Sequence, residues 1–350
     1  MGNRTYGRVS SGIRVAASAL ALLLASFIAA GDALACGGFF SRAATEGARR
    51  PSLAYEQTLI VFDAESRREH FVREVVFRAA REPFGFVVPT PARPEVASVK
   101  ASPFQALRTD FPFEAAPKGG LRGLGTSGAG IAPGMGGGGV QVLETSKVGS
   151  FTAFVLAADN DQALAGWLKK NGFASTPQSD AWLAHYVKLK FFYVAMRYEL
   201  PKSGASPSTK AETVRISFDT PLPYYPYLEP AAAANEPARA ERLLDLWLVS
   251  RDVFVPVSAR EREGKLEWVR PLASGERYAG SNLSHTLGGE AKLLPAGDLR
   301  VLRFMDQKRS RAGFGDIVFV PAAKQSLDPE ARARLVSLLP ILDPRLLEEK

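Results

Sequence analysis

Residues Val140–Phe173 read VQVLETSKVGSFTAFVLAADNDQALAGWLKKNGF, and three structural signals follow one another along them. Val140, Val142 and Leu143 open a β-rich run, and Val148-Gly149-Ser150 is a turn-like break. From Phe151 to Leu156 the chain is apolar on both faces. Phe151, Ala153 and Val155 line one face and Thr152, Phe154 and Leu156 the other, which predicts a buried central strand. Asp159 or Asn160 then caps a helix, because either side chain can accept from the orphan N–H groups of a first turn. Gln162 stands at capping-box spacing from Asp159. Leu164, Trp167 and Leu168 form one apolar stripe. Lys169 and Lys170 suit the negative end of the helix dipole, and Asn171-Gly172 is a left-handed stop.

Working outward, Tyr55–Asp63 and His70–Arg78 read as a hairpin. Phe71, Val75 and Phe77 stand among charged neighbours, which predicts one wet face. Pro83–Pro89 reads as a third strand, so that the three form a meander, and Ser102-Pro103 starts a short helix through Asp110. After the central helix, Ser179 is read as the cap of a second helix to about Val187. Lys190–Leu200 and Glu212–Asp219 are strands, the second pairing back to give a β-α-α-β-β unit. Leu243–Val257, Lys265–Val269, Leu299–Met305 and Asp316–Val320 supply further strands. A terminal helix runs from Asp328 to about Leu339, with Leu335, Leu338 and Leu339 inward. The expected class is α+β with largely antiparallel sheets and a C-terminal helix.

The chain has 350 residues and 46% hydrophobic content, enough for a sizeable core. Its start has the form of a signal peptide: Arg4, Arg8 and Arg14, an apolar run from Val15 to Ala30, and the small-x-small site Ala33-Leu34-Ala35. Residues 1–35 are therefore expected to be removed. Their loss takes away three arginines and Asp32, lowering the formal charge from +8 to +6. No later run is long enough to cross a bilayer as a helix. The expected divisions are a β-rich part at 36–115, a flexible loop or linker at 116–139, and an α+β part at 140–350 sharing one core with the first. The loop holds eleven glycines between Gly119 and Gly139 and too little apolar surface to offset its ordering entropy.

Several stretches together resemble a family. Cys36-Gly37-Gly38-Phe39-Phe40 follows the signal. EQTLIVFD at Glu56–Asp63, HFVREVVFR at His70–Arg78 and FGFVVPTPARPEV at Phe84–Val96 come next. Val148–Phe173 and Tyr186–Leu200 complete the set. This is similar to the exported bacterial proteins grouped as DUF2330, over about Cys36 to Asp219. The resemblance implies export and a shared fold; it carries no activity, cofactor or catalytic residue. Some relatives carry a C-terminal membrane anchor, whereas this chain ends in Leu347-Glu348-Glu349-Lys350.

Cys36 is the only cysteine, so no internal disulfide is expected. It has three readings. It packs the mature N-terminus beside Gly37 and Gly38; it is lipidated as the first mature residue; or it is an N-terminal nucleophile of an amide hydrolase, its α-amine serving as base. Ala33 stands where a lipoprotein signal has leucine. Tyr224, Tyr225 and Tyr227, in the proline-rich PLPYYPY run, are binding candidates, since flat amphipathic rings stack on sugars or peptides. The alternative is a rigid connection packed on a sheet edge.

Gly123-Leu124-Gly125-Thr126-Ser127-Gly128 matches a dinucleotide pattern but follows no strand and opens no helix, so it is set aside. His70, His185 and His285 have no partner at ligand spacing, and neither a metal nor a cofactor is expected. Lys308, Arg309 and Arg311 read as a solvated basic loop, with no nucleic-acid module beside it. The reading is an envelope protein outside the cytoplasm, periplasmic or extracellular. It is a non-enzymatic binding or scaffold module whose partner is an envelope polymer, a lipid surface or an envelope protein.

Overall fold

A computed structural model describes residues 38–41, 52–78, 84–111, 139–173, 175–199, 208–231, 243–258, 278–307, 311, 314–322, 329–342 and 344–347. The strands are β1 (Gly38–Ser41), β2 (Ser52–Asp63), β3 (Arg68–Arg78), β4 (Phe84–Thr90), β5 (Glu95–Ser98), β6 (Val140–Val148), β7 (Phe151–Ala158), β8 (Phe192–Tyr198), β9 (Ser208–Lys210), β10 (Val214–Asp219), β11 (Tyr224–Tyr225), β12 (Leu243–Ser250), β13 (Phe254–Ser258), β14 (Tyr278–Ala279), β15 (Asp298–Asp306) and β16 (Ile317–Pro321). The helices are α1 (Phe104–Asp110), α2 (Asp161–Lys170), α3 (Pro177–Lys188), α4 (Gly280–Leu287) and α5 (Pro329–Leu338). The class is α+β, with mostly antiparallel sheets and a C-terminal helix.

Three sheets form. One has the order β1-β4-β8-β7-β6, one β14-β15-β12-β2-β3-β10-β5 with β9 added to β3, and one β11-β16-β13. The hairpin β2–β3 forms where the sequence places it, and β6 and β7, read as two runs parted by a turn-like break, pair as a second hairpin. Gly149 turns the second at φ +56, a conformation cheap only for glycine.

The meander does not form. β4 leaves β3 and pairs with β1 and β8 in the other sheet. The β-α-α-β-β order is present, but its last strand, β10, pairs with β3 and β5 rather than with β8. Hairpin geometry is local and visible in sequence, whereas the choice of sheet depends on which long-range faces meet.

The caps follow the side-chain chemistry. Asn160, rather than Asp159, caps α2 by accepting from the Ala163 N–H at 2.8 Å. The cap of α3 is Thr176, not Ser179. Thr176 and Ser179 form a reciprocal capping box around Pro177 in the first turn. Leu164 and Leu168 are buried as the stripe requires, and the Trp167 ring packs edge-on to Phe154 at 5.2 Å. In α5 the inward face shifts: Leu339 is buried, but Leu338 is 45% exposed.

The main core lies between the large sheet and the other two, joining Phe71, Phe77, Phe84, Phe86, Phe151, Tyr198 and Phe319. A second cluster covers the opposite face of the large sheet, where α1 and α4 bring Phe104, Leu107, Leu283 and Leu287 onto Trp247, Val72 and Leu59. β3 is therefore buried on both faces, and the wet face expected from its charged residues is absent. Glu69, Arg73 and Glu74 are all buried. Each must be neutral, paired or hydrogen-bonded, because an isolated buried charge is too costly to persist. Arg73 meets Glu56 of β2 at 2.8 Å and lies 4.9 Å from the Phe86 ring centre. On the far face Glu74 accepts from Gln57 and Thr213 and pairs with Lys210.

Candidate functional site

Two places concentrate chemistry: a carboxylate cluster between the sheets and an open trough beside β6. The cluster begins with the proline-rich run. Pro221, Pro223 and Pro226 fix φ and remove amide donors, so the segment stays extended and pairs over only two residues. Tyr224, Tyr225 and Tyr227 are each 0% exposed. No sugar or peptide in solvent reaches their faces. The stacking expectation is replaced by packing: Tyr225 meets Phe71 at 5.9 Å and Tyr227 meets Phe314 at 5.9 Å.

The hydroxyls of Tyr224 and Tyr227 find carboxylates. Asp316, at the mouth of β16, accepts from the hydroxyls of Tyr186 (2.8 Å) and Tyr224 (3.0 Å) and from the Leu228 N–H (2.8 Å). Burial, then the adjacent Asp316 charge, pushes the Tyr224 phenol well above its ordinary value. Asp306, at the end of β15, accepts from Tyr227 at 3.0 Å and from Arg311 Nε at 2.7 Å.

Arg311 is 0% exposed and lies 4.9 Å from the Tyr227 ring centre, with its own N–H donating to Glu229. The solvated basic loop expected there is thus corrected at Arg311; Lys308 and Arg309 lie outside the described residues. Asp306, Arg311, Asp316 and β16 lock onto strands and tyrosines far away in sequence. Asp and Tyr at such separations leave no local signal.

On the opposite face of the large sheet, Arg303 forms a two-pronged pair with Asp245, Nε to Oδ1 at 2.8 Å and Nη2 to Oδ2 at 2.7 Å. Its guanidinium lies 4.5 Å from the Trp247 ring centre. Burial raises the Asp245 carboxyl and Arg303 opposes it. The histidines stay apart, on β3, α3 and α4. Burial lowers His70 to about 4, and its Nδ1 lies 2.8 Å from the Ser217 hydroxyl. Among the described residues no group of three His, Cys, Asp or Glu could hold a metal ion. No helix among them is long and apolar enough to cross a membrane. Cys36 lies outside the described residues.

The trough has a volume of about 1050 Å³ and runs along β6, the end of β7 and the α3–β8 corner. Val142, Leu143, Phe191 and Phe192 give it apolar walls. Glu144, Asp159, Lys188 and Lys190 also line it, all four exposed. β6 ends its sheet and carries a bulge between Val142 and Glu144. Lys190 sits at φ +58, where it closes α3: its N–H donates to Val187 and that of Phe191 to Tyr186.

Fold and cluster together define a two-faced α+β protein with an ionic interior and an open groove at one sheet end. The chain belongs to the family described as "Uncharacterized protein conserved in bacteria (DUF2330)", whose model matches residues 31–263. Glu56, Glu69, Tyr186 and Tyr224 fall inside that match, while Asp306, Arg311 and Asp316 lie beyond it. The curated proteins give no match. Among solved structures, the crystal structure of baculovirus P35 is similar at 9% identity. The match covers 77% of this chain and 92% of that one, with a TM-score of 0.34.

Proposed function

We propose that the protein is exported and works outside the cytoplasm as a non-catalytic binding module, with the trough beside β6 seating an extended segment of an envelope protein. The observation that carries this reading is the division of polar chemistry in the described residues. The interior carboxylates are engaged by tyrosines, arginines and backbone, and the trough beside β6 is apolar-walled, open, and lined by neither histidine nor cysteine. An outer strand beside an apolar groove suits strand addition, in which backbone pairing supplies affinity and the groove selects side chains. The export part rests on the Arg4–Ala35 signal pattern.

The test is retention of the mature chain, from Cys36 onward, on isolated envelope fractions at physiological salt. Leu143→Glu, which puts a charge into the trough, should lower retention at least tenfold without changing the fold. Retention untouched by Leu143→Glu refutes the site; no retention of either chain refutes the binding reading; retention on protein-free lipid vesicles alone moves the partner to the membrane surface. Mass spectrometry of the mature N-terminus separates free Cys36 from diacylglyceryl-modified Cys36. A Cys36→Ser chain that keeps its phenotype removes the amide-hydrolase alternative.

A further inference from the structure

Glu69 is the second residue of β3 and is 0% exposed. Its Oε2 accepts the Tyr224 N–H at 2.7 Å, while its Oε1 has no hydrogen-bond partner among the described residues. Across the sheet it faces Phe62 on β2 and Phe218 on β10. The charged groups nearby are turned elsewhere. On β3, Arg73 is taken by Glu56. Arg68 and His70 flank Glu69 on the other face of the strand, where Arg68 pairs with Asp219 and Glu95 and His70 meets Ser217. On β2, Asp63 is held by Arg251. On β11, the Tyr224 phenol donates to Asp316. Among the described residues no cation from these elements pairs with the carboxyl.

We propose that Glu69 holds a proton in the folded protein and serves as a pH-sensitive latch on the tyrosine segment Leu222–Glu229. The neutral carboxyl keeps its carbonyl oxygen on the Tyr224 N–H. Ionisation places an unpaired negative charge beneath a tyrosine whose other end already holds the Asp316 carboxylate. The segment then loosens, and with it the seat of β16. Burial drives the Glu69 carboxyl well above its ordinary value, against only the pull of the Tyr224 amide.

The sign follows from linkage. Folded chains keep this proton while unfolded chains lose it above about 4.5, so the stabilisation is complete below that pH. It falls as pH rises until the folded-state value is passed. Between those limits the folding constant drops by up to about tenfold per pH unit from this group.

The experiment compares the mature wild type with Glu69→Gln, which keeps the shape and the acceptor but cannot ionise. Urea unfolding is read at four pH values from 5 to 8. The ratio of wild-type to variant folding constants should fall by about tenfold per unit over the lower part of that range. The other titrating groups cancel in this ratio. Infrared spectra at pH 7 should show a protonated carboxylic C=O band in the wild type that Glu69→Gln lacks. Hydrogen exchange at Tyr224 should quicken with pH more in the wild type. Parallel pH slopes, or the absence of a protonated carboxyl band at pH 7, overturn the proposal. Should Glu69→Gln not fold, Glu69→Leu replaces it with the same expectations, and the wild-type band still decides.

Discussion

Replacing Asp316 tests how the C-terminal strand is held. Asp316→Ala removes the acceptor for two buried hydroxyls, Tyr186 and Tyr224, and for the Leu228 N–H. Each buried donor left unsatisfied costs roughly 1–3 kcal/mol, and hydroxyls recover part of that by rotating toward other acceptors. The expected loss is therefore about 4 kcal/mol, a large share of the roughly 5–15 kcal/mol that holds a domain together. Asp316→Asn keeps one acceptor but points donors at donors, and should cost about 2 kcal/mol. Tyr224→Phe and Tyr186→Phe each remove a donor without stranding one, and should cost about 1–1.5 kcal/mol. The assay is urea unfolding with the slope held constant, so that midpoint shifts report stability. In a double-mutant cycle, Asp316→Ala with Tyr224→Phe should cost less than the two separately. If Asp316→Ala costs under about 1 kcal/mol, the carboxylate does not anchor β16 and the reasoning fails.

Three further outcomes are expected. Gly149→Ala should destabilise by about 1–2 kcal/mol, read by urea unfolding, since alanine resists positive φ. A Cβ there would also push aside the Glu212 carboxylate that accepts the Ser150 N–H. Lys190→Gly should stabilise by about 0.5 kcal/mol, read as a small rise in Tm, because the strain relieved slightly exceeds the added freedom of the unfolded chain. Glu199 is lowered to about 2, chiefly by the hydrogen bond from Lys147, with Thr152 and Arg197 adding to it. Its contribution is present above the unfolded value near 4.5 and is lost as pH falls through about 2. Glu199→Gln should therefore flatten the acid limb of a stability profile over that interval, and added salt should shrink the difference.

The clearest reading in the chain was Val140–Phe173, where turn, strand, stripe and stop are set by neighbours a few residues apart. The strands β12, β15 and β16 were legible for the same reason, by apolar runs between breaks. The errors fell where the partner lies far away. Thr176 displaced Ser179 as the cap because Pro177 fits the first turn, which the apolar pattern does not reveal. Val72 and Glu74 alternate with Phe71 and Val75 in a way that suggests a wet face, yet α1 and α4 cover it. The tyrosines of the PLPYYPY run have the composition of a ligand platform, and only the fold tells that all three are buried and that the Tyr224 and Tyr227 hydroxyls serve Asp316 and Asp306.

Local order along the chain, then, came from the residues alone: alternation of two or 3.6, a capping oxygen, a glycine able to take positive φ. These depend on interactions within one turn or one hairpin. Which sheet β4 and β10 join, whether β3 keeps a wet face, and which carboxylate a tyrosine meets were settled only when distant surfaces packed together. Burial and charge pairing are properties of that assembled environment: Asp316 is the same residue in any sequence window, and it becomes an anchor because Tyr186, 130 positions earlier, ends within hydrogen-bonding reach.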